Sequence, residues 1–471
     1  MRTRKSFPAA SFFVLIDYFY ARMMKGKLLI EILFLALVSG LSMVTYAGPG
    51  NQATGPNIIL IMCDDMGYEC LSSNGSLSYS TPSLDKLARK GLRFTQCYSQ
   101  PLCTPSRVKI MTGRYNSNNY IDFGYLDVRE KTFGNVLKDA GYKTMIAGKW
   151  QLNGINTNEE GCMDPERPYQ FGFEEYCLWW LTEKGSRYAD PLIVQNGTRL
   201  ETTIDDYGPD LVLDYILNFI ERNKNEPFFV YYPMMLVHSP FQPTPDSPEW
   251  ADPDKRNSTD NKFFKDMVEY TDKIVGKIFA SLEEQDLLEN TILIFTGDNG
   301  TNTDIITETK DGPYKGGKGR LFDNGTHVPL VISYPGGGKK AEVGSELIEF
   351  SDFLPTFADA AKTSLPPGID GRSFYRLLAN QRYKPRKYVF VHYYPNTTNV
   401  SNRSGCFVRT KDYKLYTDGR FFDMQSDKWE KTPLNAEALS KEEKKVYKQL
   451  NKELKNKIVW DFSIPHRNKT N

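Results

Sequence analysis

At 471 residues the chain exceeds what one hydrophobic core usually supports, so a large domain with a smaller appended one is expected, each burying a core of its own. Lysine plus arginine (59) nearly balance aspartate plus glutamate (58), and 40% of the residues are hydrophobic. This excludes a fibre, a disordered chain and a global field that would recruit nucleic acid; an anionic partner has to be caught by a local patch.

Taken in chain order, Met24-Lys25-Gly26-Lys27 is a basic start, residues 28–41 are mostly apolar, and Thr45-Tyr46-Ala47 offers small residues for cleavage. Residues 1–47 are read as an N-terminal extension plus secretory signal, cut near Ala47, which sends the product outside the cell or into the periplasm. The apolar run carries Glu31 and falls short of the ~20 residues a bilayer span needs, so no stable membrane anchor is expected.

Asn57-Ile58-Ile59-Leu60-Ile61-Met62-Cys63 is apolar without alternation, the pattern of a strand buried on both faces of a parallel sheet. Residues 144–147, 228–232, 291–295 and 329–333 repeat it. Helical patterns lie between: Leu84, Leu87 and Ala88 share one face before Gly91, and Phe264, Met267, Thr271, Ile274, Ile278 and Leu282 keep near-helical spacing. Strands alternating with helices predict an α/β layered domain over residues 56–380. After Arg382 short aromatic runs separated by turns predict a small antiparallel sheet. A final helix is capped by Ser440 with Glu443 and carries a buried stripe of Val446, Leu450 and Leu454, continued by Ile458 or Lys457, making residues 381–465 a small α+β domain.

Seven cysteines (Cys63, Cys70, Cys97, Cys103, Cys162, Cys177, Cys406) are an odd set for an oxidising compartment. Cys103 is the odd one out. The other six allow about 15 pairings, among which Cys162 with Cys177 is the one ventured, and several, such as Cys63 inside its strand, also read as buried thiols.

Asp64-Asp65 directly follows the first buried run, and Asp298-Asn299-Gly300 follows the run at 291–295 in the same way. Both pairs are thus expected at the carboxyl ends of strands, where α/β sheets hold ligands. Three carboxylates and an amide make the oxygen shell of a hard divalent cation, with Ca²⁺ preferred to Mg²⁺, and ordinary turn chemistry is the alternative for each pair. Of four histidines, His238 follows the strand at 228–232 and precedes Pro240, an element end that favours a site; His327 and His392 are read as structural, and His466 lies in a tail.

The run Cys103-Thr104-Pro105-Ser106-Arg107 resembles the core signature of the formylglycine-dependent sulfatases, whose cysteine is oxidised to an aldehyde and whose aldehyde hydrate attacks a sulfate ester. Asp64-Asp65-Met66-Gly67, Thr81-Pro82-Ser83-Leu84-Asp85, Thr112-Gly113-Arg114, Gly148-Lys149-Trp150, Val237-His238-Ser239-Pro240, Gly297-Asp298-Asn299-Gly300 and Gly316-Gly317-Lys318-Gly319 stand in the order of that family, over roughly residues 57–335. The resemblance implies an alkaline-phosphatase-like α/β sandwich with a mostly parallel central sheet. It implies a metal site of Asp64, Asp65, Asp298 and Asn299 with the converted Cys103 (3-oxoalanine) beside the ion. Arg107, Lys149 and Lys318 would clamp the sulfate, Asp298 would activate the nucleophile, and His238, alone or shared with Lys318, would protonate the leaving group. Lys149, Gln151, His238 and Lys318 would face the substrate.

One position departs from the family: where many sulfatases read G-K-W-H, this chain has Gln151 after Trp150. An amide replaces the imidazole expected to assist release of the sulfated intermediate, and water or Asp298 is the preferred substitute base, slow turnover being the other consequence. The expected function is hydrolysis of a sulfated carbohydrate or aryl sulfate, with a formylglycine-generating enzyme as partner during maturation. Its rivals are a phosphonate or phosphate diester hydrolase on the same scaffold and a catalytically silent carbohydrate-binding protein. Trp179-Trp180 and the 394–404 loop either wall the pocket or, for the tryptophans, belong to the core.

Overall fold

The computed structural model describes residues 55–155, 157–338, 341–395 and 403–457; the expected signal segment, Ile458, His466 and residues 396–402 of the polar loop lie outside the described residues. In chain order the strands are β1 (Asn57–Cys63), β2 (Leu92–Tyr98), β3 (Lys143–Lys149), β4 (Glu175–Trp179), β5 (Ile193–Gln195), β6 (Thr198–Arg199), β7 (Phe228–Pro233), β8 (Thr291–Gly297), β9 (Ile306–Thr309), β10 (Gly312–Lys315), β11 (His327–Ser333), β12 (Glu342–Gly344), β13 (Ile348–Glu349), β14 (Val389–Tyr393), β15 (Gly405–Arg409), β16 (Tyr413–Tyr416) and β17 (Phe421–Asp423). The described helices of seven residues or more are α1 (Pro82–Arg89), α2 (Cys103–Thr112), α3 (Phe133–Asp139), α4 (Gly208–Asn223), α5 (Phe263–Glu284), α6 (Phe353–Ala360) and α7 (Lys441–Lys457).

The large sheet runs β12-β2-β11-β8-β1-β7-β3-β4-β5-β6, with β13 also on β2. Its middle five strands, β8, β1, β7, β3 and β4, are mutually parallel. Alternate residues of β1 explain the unbroken apolar run: Ile59, Ile61 and Cys63 enter a core with α4 and α5, while Ile58, Leu60 and Met62 enter one with α2, α3 and α6. A strand covered on both faces has no polar side to show. The six α5 positions picked out by their spacing are all buried, each apolar one contributing about 1.5–3 kcal/mol of transfer free energy.

Two expectations need correction. The run at 329–333 is a buried strand, but β11 lies antiparallel to both β8 and β2. Between β8 and β11 the longest helix has four residues, so the chain has no crossover element and returns alongside β8. Likewise Cys162 and Cys177 are not paired, and all seven cysteines are free thiols. Cys177 is fixed on β4 inside the α4–α5 core, whereas Cys162 sits half-buried in a loop. Strand β2 had no apolar run long enough to announce it, and the run at 176–181 that holds most of β4 drew notice only for its tryptophans.

The C-terminal sheet is antiparallel in the order β14-β15-β16-β17. Helix α7 lays Leu450 and Leu454 against Phe390, Cys406, Val408 and Leu415. The expected capping box closes it: Ser440 N–H donates to Glu443 Oε2 (2.6 Å) and Glu443 N–H to Ser440 Oγ (3.2 Å). No helix among the described residues is long and apolar enough to cross a membrane.

Candidate active site

The parallel strands deliver side chains to one edge of the sheet. Asp64 and Asp298 extend the ladders of β1 and β8 by one residue each, Asp64 N–H donating to Leu236 O and Asp298 N–H to Cys63 O, both at 2.8 Å. Gly297 allows the close approach: a Cβ there would stand 2.0 Å from Met66 O. Asp65 turns the chain at φ 63°. Its N–H donates to Asp298 Oδ1 (3.0 Å), and its Oδ1 accepts from Asn299 Nδ2 (2.9 Å), so the two acidic turns are bonded to each other.

Cations ring this cluster. Lys149, at the end of β3, donates to Asp64 Oδ2 (2.7 Å). Gly148 places it, because at φ 118° the chain passes so near β7 that a Cβ would meet Pro233 O at 2.1 Å. Lys318 donates to Asp65 Oδ2 (2.5 Å) and lies 3.0 Å from His238 Nε2. Arg107 donates to Asp298 Oδ2 (3.3 Å) and to the Lys149 carbonyl (3.0 Å).

Cys103 begins α2, whose ten residues are all buried. Pro105 is tolerated because the first-turn N–H groups have no partner inside the helix. Ser106 Oγ accepts from Gln100 N–H and donates to Gln100 O, both 3.1 Å, pinning the entry loop so that Cys103 and Arg107 point from one rigid turn. The cysteine sulfur and carboxylate oxygens of Asp64 and Asp298 lie within 4.8 Å of one another, as do ligand atoms of Asp64, Asp65 and His238.

The electrostatics follow from this crowding. Burial works to raise the pKa of Asp64, but Lys149, His238, Arg107 and Lys318 outweigh it and hold the carboxyl well below its usual range. Asp298 is pushed up to about 8 by burial and by Asp64, with Arg107 opposing. Burial lowers His238 to about 4 against the pull of Asp65 and Asp64, leaving a neutral imidazole at physiological pH. Asp64 Oδ1 and Asn299 Oδ1 are buried with no hydrogen-bond partner. Such orphaned oxygens cost about 1–3 kcal/mol each unless something fills them. Together with the all-oxygen donor set they fit a hard divalent cation. Three carboxylates and three cations balance, so such an ion would leave a net positive site for an anionic ester.

All the residues expected at the site except Gln151 form this cluster. Gln151 lies two residues beyond Lys149 at φ 61°, buried, its N–H donating to Trp180 O (3.2 Å) and its Oε1 without a partner. The tryptophan pair divides. Trp179 is core, its Nε1 donating to Gly185 O (3.2 Å), while half-buried Trp180 has Lys149 Nζ 5.8 Å from its ring. His327 stacks on Tyr68 with ring centroids 4.1 Å apart and meets Thr95 O at 3.0 Å, a structural role, and His392 is buried in β14. Tyr188 gave no signal in the sequence, yet its hydroxyl donates to His238 O (2.6 Å) and Met235 O (3.0 Å) and holds the histidine loop.

A cationic and carboxylate cluster at the carboxyl edge of a parallel sheet, with a buried cysteine at a helix start, defines an α/β hydrolase site for an anionic ester. Comparison with known proteins gives the class its name. The family model described as Sulfatase matches residues 56–363, and that described as N-sulphoglucosamine sulphohydrolase, C-terminal, matches residues 317–460. Arylsulfatase A of Homo sapiens is 31% identical over 422 residues, 82% of this chain and 77% of its own length. The N-acetylglucosamine-6-O-sulfatase of Bacteroides thetaiotaomicron is 25% identical over 502 aligned positions, 85% of this chain and 84% of its own. The crystal structure of Ps i-CgsB superposes with a TM-score of 0.72 at 25% identity, covering 88% of this chain and 94% of that one. The chain belongs to the sulfatase family and is a sulfuric-ester hydrolase of alkaline-phosphatase-like fold.

Proposed function

We propose that the protein releases sulfate from a sulfated carbohydrate, using Cys103 converted to formylglycine and a divalent cation, Ca²⁺ ahead of Mg²⁺, held by Asp64, Asp65, Asp298 and Asn299. The observation that carries this reading is the convergence of the Cys103 sulfur with the Asp64 and Asp298 carboxylates within 4.8 Å, since an unmodified buried thiol has no evident task there. The modified side chain would supply a hydrated aldehyde as nucleophile, and the cation would withdraw charge from the sulfate oxygens.

The chain's own groups perform the rest. Arg107, Lys149 and Lys318 neutralise the non-bridging oxygens and fix the sulfur in line with Cys103. Asp298, beside Cys103, is placed to take a proton from the nucleophile. The His238 and Lys318 pair, 3.0 Å apart, delivers a proton to the leaving sugar oxygen, the Lys318 ammonium supplying it because the imidazole is neutral. Gln151 forms hydrogen bonds but takes no proton near neutral pH, so Asp298 or water serves as the later base. Trp180 supplies an aromatic face to the sugar. Maturation by a formylglycine-generating enzyme and export after cleavage near Ala47 complete the proposal, with residues 56–380 as the catalytic domain and 381–465 as the smaller one.

Sulfated carbohydrate is preferred because the Bacteroides relative is named for a sulfated amino sugar. The deciding assay compares turnover of an aryl sulfate with that of an aryl phosphodiester. Faster hydrolysis of the sulfate is expected, and a clear preference for the phosphodiester would overturn the assignment.

A further inference from the structure

Arg187, in the loop after β4, is only 7% exposed, yet its side chain makes no hydrogen bond or ion pair among the described residues, and its Nη1 is sealed from solvent without a partner. Its contacts are aromatic: Cζ lies 4.2 Å from the Trp179 ring centroid and 5.8 Å from that of Tyr188. Every other buried lysine or arginine among the described residues meets a carboxylate or, for Arg167, backbone carbonyls. The acids of the same loop are turned elsewhere, Glu183 toward Arg199 (3.9 Å) and Asp190 toward Thr202 (3.0 Å). A buried charge with no counter-ion carries a desolvation penalty that a cation–π contact offsets only in part. Arg187 therefore holds unfilled capacity for an anion.

Its neighbours tie it to the side of the site where the sugar departs. Tyr188, the next residue, donates its hydroxyl to His238 O (2.6 Å) and has Asp64 and Asp65 among its electrostatic neighbours. Trp179, on which Arg187 lies, meets Trp180 edge to face at 5.1 Å. The Trp180 ring in turn has Lys149 Nζ at 5.8 Å and Lys184 Nζ at 5.0 Å. Lys184 is exposed and forms no ion pair among the described residues. The tryptophan pair thus runs from Lys149 of the sulfate clamp to two cations without acids of their own. A sugar resting on Trp180 brings its remaining substituents toward those cations, and guanidinium is shaped to grip a carboxylate or sulfate by paired hydrogen bonds.

We propose that Arg187, assisted by Lys184, is the subsite for a second oxyanion, carboxylate or sulfate, carried by the sugar whose sulfate ester is cleaved. The inference rests on the sulfatase reading above and deepens it, because it makes the substrate at least doubly anionic.

The test is calorimetry on the full chain carrying Cys103→Ala, which prevents turnover. Three probes share one aromatic ring: phenyl sulfate, 3-carboxyphenyl sulfate and 1,3-phenylene disulfate. At least one of the two dianions should bind about 20-fold more tightly than phenyl sulfate, of which only about twofold reflects the two equivalent sulfates of the disulfate. Adding Arg187→Met should cut that ratio to about threefold or less, and adding Lys184→Met should lower it about twofold. The ratio compares ligands on one protein, so a general loosening of the fold does not move it. Losing an unpaired buried charge should also leave the melting temperature of Arg187→Met equal or higher. A gain confined to the carboxylate or to the disulfate would name the anion. Failure of both dianions to bind, no gain with either, or a gain that survives Arg187→Met would overturn the subsite; a lowered melting temperature with an unchanged ratio would assign Arg187 to packing. If the enzyme with Cys103 intact hydrolysed no aryl sulfate, the catalytic reading would fail while an Arg187-dependent gain still upheld the subsite.

Discussion

Helix α2 joins two buried ionic clusters that differ in one respect. From its first turns, Cys103 and Arg107 meet Asp64 and Asp298, while two residues further Lys109 enters a network with Glu349, Asp352 and Arg386. Both clusters are buried and both balance in formal charge. In the second, every carboxylate oxygen is bonded: Glu349 accepts from Lys109 (2.7 Å), Tyr115 (3.2 Å), Phe390 N–H (3.3 Å) and Arg386, and Asp352 from Arg386, Arg372 N–H (2.7 Å) and Glu349 N–H (3.0 Å). In the first, Asp64 Oδ1 and Asn299 Oδ1 are left over. Burial and charge alone do not separate these two clusters; unfilled bonding capacity does. The closed network anchors α2 to β13 and β14, and the open one keeps two acceptor atoms without a partner.

The comparison breaks most visibly at Cys103. Cys103→Ala should lower aryl sulfate turnover at least ~10⁴-fold while changing unfolding free energy by only about 1 kcal/mol, which kinetics and urea denaturation read separately. A variant that kept more than a few per cent of activity would remove the cysteine from the mechanism. Next comes His238→Gln, with kcat expected to fall about 10²–10⁴-fold on a substrate with a poor alkoxide leaving group and less on an activated aryl sulfate. Equal losses on the two would point to positioning instead of proton donation.

Glu349→Gln should behave in the opposite way, costing about 3–5 kcal/mol of stability because Lys109 and Arg386 are left buried without their counter-charge, while kcat per folded molecule changes little. Saturating Ca²⁺, at about 100 times its Kd, should stabilise the wild type by about 2.7 kcal/mol, and Asp64→Asn with Asn299→Ala should abolish the gain. A thermal shift that survived in that double variant would move the ion elsewhere. The smallest effect is set by Trp180→Ala: about a tenfold loss in kcat/KM on a sulfated oligosaccharide, with little change on an aryl sulfate, whereas matching losses would assign the ring to packing.

The open cluster was far more legible in the sequence than the closed one, for physical reasons. Asp64-Asp65 and Asp298-Asn299 each follow an apolar run, and a strand buried on both faces announces both itself and its end. Lys109 and Glu349 stand 240 residues apart in unremarkable local contexts, so only the fold discloses that they meet. The antiparallel sense of β11 was hidden because burial on both faces erases alternation in either direction. Gln151 was legible as a departure, but not its placement, bonded through its backbone to Trp180.

The central claim is that Cys103 is the precursor of the nucleophile. Mass spectrometry of the peptide spanning residues 103–107, from protein that hydrolyses an aryl sulfate, tests it most directly. The expected result is an aldehyde in place of the thiol, in proportion to specific activity across preparations; an unmodified thiol in a fully active preparation would contradict it.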